Sequence, residues 1–200
     1  MNTGNPRRVV GAGTVAALVL VIAFGNQWLW EEILKKRKPG DNSGWHILQW
    51  LGTPHWVVDT SGFYEDLPDK NVTGYLVGVF VLLVVVALVI AASTRRAYAN
   101  AFISGWFSLV AGGAAYNLVA YLIIGGPDAS TYSDGRSLAG ALAVLGVGAG
   151  YGFLAGWAVG GVCALAASTA QGSGQFGGQF SYSPPPPPPA GPPPGGGYRY

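Results

Sequence analysis

The sequence predicts an all-α integral membrane protein, a four-transmembrane-helix bundle followed by a disordered Pro/Gly-rich C-terminal tail. Three observations carry this expectation. Only 10% of the 200 residues are charged while 50% are hydrophobic, which leaves too little charge to cover a soluble domain of this size. The charges are also clustered, so that stretches 9–30, 72–94, 97–127 and 137–170 contain none. Each holds the roughly 20 apolar residues needed to cross a hydrocarbon core of about 30 Å. None of the fourteen prolines falls inside the spans proposed below, as unbroken helices require, because proline removes a backbone donor and clashes with the preceding turn.

A short N-terminus (1–8) precedes the first span (9–30). Arg7 and Arg8 followed by VVGAGTVAALVLVIAFG also fit a secretory signal peptide, with Ala23 and Gly25 placed like a cleavage site. The apolar run is long for such a peptide and continues to Trp28 and Trp30, two residues suited to a membrane interface. An uncleaved helix is therefore expected. The following extramembrane loop (31–72) starts with the basic run Lys35 to Lys38, read as side chains snorkelling to headgroups. It contains a Trp-rich segment (43–58), in which Trp45, Leu48 and Leu51 recur at helical spacing beside Trp50, before Gly52 and Pro54 stop the run and Trp56 follows. An aromatic, nearly uncharged stretch of this kind is expected to lie along the interface or over the bundle. Asn71-Val72-Thr73 matches a glycosylation sequon but abuts the second span.

Span two (73–94) is dense in β-branched residues. A tight basic turn (95–100) leads to span three (101–125), a short loop (126–136), span four (137–168) and the tail (169–200). Four spans place both termini on one side. Arg7, Arg8, Arg95 and Arg96 flank that side, against six basic residues on the other, so the simple count opposes a cytoplasmic N-terminus. The tight turn is the least ambiguous flank, and Asp128 and Asp134 suit an outer loop. Both termini are therefore expected in the cytoplasm, with the chain in the plasma membrane.

Span four holds GVGAGYGFLAGWAVGG at 146–161, a surprising place for the residue that weakens helices. Gly148, Gly152, Gly156 and Gly160 are spaced by four, and Ala164 and Ser168 continue the series on neighbouring positions of one helix face. Such a face is a groove for another helix backbone. Close van der Waals contact is what joins helices in lipid. Ser104, Ser108 and Gly112 on span three offer a counterpart row for packing within one chain, and the sharper alternative is a ring or dimer of identical subunits. A phosphate-binding loop lacks its strand and downstream acid. Local unwinding of a transporter helix near Gly148 lacks a matching interrupted span.

Chemistry-bearing residues are few. The spans contain no ionisable acid or base, and Asn117, flanked by Tyr116 and Tyr121, is the most polar residue deep in one; an interhelical hydrogen bond is its expected role. His46 and His55, with Asp59 nearby, are too few and too irregularly spaced for a metal site. Cys163 alone makes neither a disulfide nor a thiol pair. No GxSxG-type or Ser/His/Asp pattern is present, so no enzyme, metal or cofactor is expected, and a net charge of +2 argues against nucleic acid. In the tail Pro184, Pro185, Pro186, Pro187, Pro188 and Pro189 form a polyproline II strip that a cytoplasmic partner with an aromatic groove would bind.

The expected function is a non-catalytic scaffold or accessory subunit, whose partners are the lipid bilayer and other membrane subunits or further copies of itself. A small oligomeric channel or transporter is the alternative, and an interfacial enzyme using the Trp/His loop the third.

Overall fold

The computed structural model describes residues 6–36, 51–61, 65–66, 68–94, 100–125 and 137–172. These are all-helical apart from turns and short extended pieces. They form α1 (Pro6–Phe24), α2 (Gln27–Lys36), α3 (Asp69–Thr94), α4 (Ala101–Ile124) and α5 (Ser137–Gly172). Four helices are long and apolar enough to cross a membrane: α1, α3, α4 and the Gly140–Thr169 part of α5, with mean hydropathies of 1.8, 3.1, 1.7 and 1.7. Residues 37–50, 62–64, 67, 95–99, 126–136 and the tail beyond 172 lie outside the described residues. That excludes Trp45, Trp50, His46, the basic turn and the proline strip of Pro184 to Pro189.

The first span differs from its expected bounds. The helix of 9–30 is interrupted at Gly25–Asn26, so Trp28 and Trp30 belong to a second helix. Asn26 makes the break cheap by serving both ends. Its amide nitrogen donates to the carbonyls of Ala23 (3.0 Å) and Ile22 (3.3 Å), and its side-chain oxygen accepts from the Leu29 N–H at 2.8 Å. One residue thus satisfies terminal carbonyls of α1 and an orphan donor of α2. Asn100 caps α4 in the same manner, accepting from Phe102 (2.9 Å) and Ile103 (3.4 Å).

Around the bundle, α4 packs between α3 and α5, while α1 packs against α3 and α5 on the far side. Sequence neighbours run antiparallel. Gly74 near the start of α3 lies against Ala120 and Ile124 at the end of α4, and Gly105 near the start of α4 lies against Val159, Gly160 and Cys163 of α5. Gly13 of α1 meets Ile90 and Cys163, which closes the ring. The result is an up-down-up-down bundle with the starts of α1 and α4 and the ends of α3 and α5 at one end. Leu82, Val86, Leu109, Tyr116, Tyr151 and Val159 fill the core, while Val15, Phe80, Leu88, Phe107, Phe153, Trp157 and Leu165 are exposed on its perimeter.

Candidate functional site

Two places combine tight geometry with polar chemistry: the seam between α4 and α5, and the cap over the end of the bundle where α1 stops.

At the seam, Gly148, Gly152, Gly156 and Gly160 are all buried and turned to α4. A side chain on Gly148 would strike the Gly113 carbonyl, on Gly152 the backbone of Leu109 and Val110, and on Gly156 the Trp106 ring. At Gly160 it would come within 2.6 Å of the Phe102 carbonyl. Backbone therefore lies on backbone, as small-residue steps allow. The series ends there as a packing face: Ala164 is half-buried, and Ser168 is exposed with its hydroxyl donating to Leu165 of its own helix at 2.9 Å.

The partner row on α4 is not the one expected. Gly112 faces α3, against Leu82 and Val86, and the buried Ser104 and Ser108 precede it by two turns and one turn on the same row. The glycines of α4 that meet α5 are Gly105 and Gly113, one position later. Because α4 is flanked by two helices it needs two small-residue rows, about 100° apart, and the eight-residue spacing of Gly105 and Gly113 was the available signal. Trp106 bridges the seam, its indole N–H donating to the Phe153 carbonyl at 3.0 Å.

The cap is built by residues 51–61. Gly25 is the point of closest approach, since a side chain there would strike the Pro54 carbonyl. Trp56 is bound twice to α1 and its end: its backbone N–H donates to Gly25 O (2.9 Å) and its indole N–H to Val21 O (3.3 Å). Trp28 meets Trp56 edge-on at 6.0 Å. Gln27, only 2% exposed, holds the outgoing extended segment. Its side-chain oxygen accepts from Val58 N (2.8 Å) and Asp59 N (2.9 Å), and its amide donates to Asp59 O (3.3 Å). Sequence reading missed Gln27, although a glutamine closing a long apolar run was a visible cue.

His55 sits at the centre of the cap. Its ring stacks on Trp30 at 4.9 Å and 4°, and lies 4.1 Å from the Tyr75 ring of α3. Nδ1 donates to the Thr53 carbonyl at 3.3 Å. Burial disfavours the charged ring and lowers its pKa to about 4, outweighing the opposite effect of the Thr53 bond. The Tyr116 hydroxyl donates to the His55 carbonyl at 2.9 Å, tying α4 to the cap. Tyr116 reaches there because Gly78 of α3 leaves room for its ring, 2.7 Å from where a Cβ would stand.

Other candidates do not converge on this cap. The Asp59 carboxylate accepts from the Ser61 N–H at 2.9 Å, which lowers its pKa; it is not bonded to His55. Among the described residues no three His, Cys, Asp or Glu side chains group together. Asn117 is half-buried and makes no hydrogen bond to another described residue, so its expected interhelical bond is not formed there; Tyr121 is half-buried too. Tyr151 is buried, and its hydroxyl has no partner among the described residues. No protein-family model, curated protein or solved structure matches the chain.

Proposed function

We propose that this chain is a non-catalytic, multi-pass membrane protein that serves as a scaffold or accessory subunit of a larger membrane complex. The observation that carries the reading is a four-helix unit whose interior is filled by its own side chains while its perimeter is lined by large apolar ones. Val15, Phe80, Leu88, Phe107, Trp157 and Leu165 are each more than half exposed, a surface that suits lipid tails or another membrane helix and is far too apolar for water. Tyr116, Leu109, Leu82 and Val159 occupy the space that a conduction path through one copy would need. The stacking and low basicity of His55, and the engagement of Asp59 with Ser61, support a structural loop over an interfacial catalytic one.

In this reading the plasma membrane is the location, both termini are cytoplasmic, and the proline-rich tail is a docking strip for a cytoplasmic partner. Native mass spectrometry of the intact protein, extracted from its own membrane into nanodiscs, tests it. A fixed stoichiometric complex with different subunits is the expected result. A lone monomer or a homo-oligomer that carries ion flux in vesicles would instead establish the channel reading. A reporter fused after Tyr200 should be active on the cytoplasmic side, and deletion of 181–200 should release the soluble partner while leaving the membrane complex intact.

A further inference from the structure

The cap is fastened to the bundle in two different ways. Toward α1 and α2 it is held by Trp56, which donates to Gly25 O and Val21 O, and by Gln27, which accepts from Val58 and Asp59. None of these bonds involves a group that titrates near neutral pH. Toward α3 and α4 it is held by His55, whose ring lies 4.1 Å from Tyr75 and whose carbonyl accepts from the Tyr116 hydroxyl. The same ring stacks on Trp30 of α2 at 4.9 Å.

The two ring nitrogens of His55 are used unequally. Nδ1 donates to the Thr53 carbonyl, which leaves Nε2 as the acceptor of the neutral ring, without a hydrogen bond to any described residue. The residue is half-buried, so a proton can reach that nitrogen. The cation so formed meets no counter-charge. Trp30 faces it from α2, Tyr75 from α3 and Tyr116 from α4. The Asp59 carboxylate accepts from Ser61, Glu31 and Glu32 pair with Lys35 and Lys36, and Asp69 and Lys70 begin α3 more than a turn before Tyr75. A charge held there forfeits its hydration unless the ring moves out to water.

We propose that His55 is an acid-operated latch: protonation at Nε2 draws its ring off Trp30 and Tyr75 and frees the cap from α3 and α4, while Trp56 and Gln27 keep it on α1 and α2. Released, the cap uncovers the Tyr75 and Tyr116 side chains at the end of the core. The sign follows from the ring's pKa, about 4 in the closed cap against an ordinary 6.5. The open form binds a proton that the closed form excludes, so falling pH favours opening. The open-to-closed ratio rises by up to about 300-fold across that interval. Above pH 6.5 the ring is neutral in both forms and the latch stays shut.

The test is an NMR titration of the full chain in nanodiscs from pH 7 to pH 4, with His46→Gln so that His55 is the one histidine left. As the pH falls, the His55 ring should titrate and lose its nuclear Overhauser contacts to Trp30 and Tyr75. The Trp56 indole N–H signal should persist. Cys163, buried in the bundle, should stay unreactive toward a dipyridyl disulfide, a thiol reagent that also works in acid. In His55→Phe the Tyr75 ring signals should not move with pH. A spectrum unchanged down to pH 4 would overturn the proposal. So would a ring that titrates but keeps both contacts, its charge held by the aromatic faces. Loss of the Trp56 signal or faster Cys163 labelling in step with the titration would overturn it too, because the bundle would then be opening as a whole.

Discussion

Glycine and tyrosine each occur here in matched pairs of environments that make their contributions separable. At Gly152 the missing side chain is what lets α5 lie on the backbone of α4, whereas Gly146 has open space around it. Gly152→Ala should therefore destabilise the bundle by about 1–3 kcal/mol, the usual cost of overpacking, while Gly146→Ala should be neutral or stabilise by up to about 1 kcal/mol through helix propensity. Equal effects in detergent unfolding curves would contradict the assignment of the seam. The two buried tyrosines make a second pair. Tyr116 donates to His55 O, and Tyr151 donates to nothing among the described residues. Loss of the first hydroxyl in Tyr116→Phe should cost about 1 kcal/mol, whereas Tyr151→Phe should be neutral or stabilising, because it removes an unsatisfied buried group.

Among the elements, the cap is the one whose stability depends on pH. His55 has a folded-state pKa of about 4 against an ordinary value of 6.5, so the unfolded chain binds a proton over that interval and the folded chain does not. Stability conferred by the neutral ring is fully present above pH 6.5 and is lost as pH falls from 6.5 to 4, by up to about 3 kcal/mol in total. Below that the ring is charged in both states and its effect levels off. Asp59, held low by Ser61, acts in a more acidic window, losing its contribution as pH falls below the ordinary carboxylate range. Melting temperature should thus drop between pH 7 and pH 4.5 in wild type and stay nearly flat in His55→Phe, which preserves the stack on Trp30 and Tyr75. A parallel drop in the variant would place the titration elsewhere.

For the molecule as a whole, Cys163 is a built-in reporter. The only thiol in the chain, it is fully buried where α1, α4 and α5 meet, beside Gly13 and Gly105. A thiol in such a place reacts only when helices separate. Maleimide labelling of the reconstituted protein should therefore be slow, should accelerate with denaturant in step with loss of the bundle, and should quicken in Gly152→Ala but not in Gly146→Ala. Fast labelling of the native protein would mean that α1 stands apart from the other three helices.

The number and apolar character of the four long helices were legible in the sequence, because crossing about 30 Å of hydrocarbon demands a run of apolar residues, whereas the break at Gly25–Asn26 that shortens the first was not. The face formed by Gly148, Gly152, Gly156 and Gly160 was legible for a similar local reason: a period of four is a property of one helix. Which row of α4 would meet that face was not, since Gly112 and Gly113 differ by one residue in sequence but point to different neighbours, and only the placement of α3 and α5 on either side of α4 assigned them. The cap was hidden more deeply. Gln27 and Trp56, or Tyr116 and His55, are far apart in the chain, and their bonds exist because α1 breaks at Gly25 and Asn26 and the loop folds back over the end of the bundle. Periodicity fixes what a segment can be. The choice of partners comes from contacts between segments, which only the tertiary structure decided.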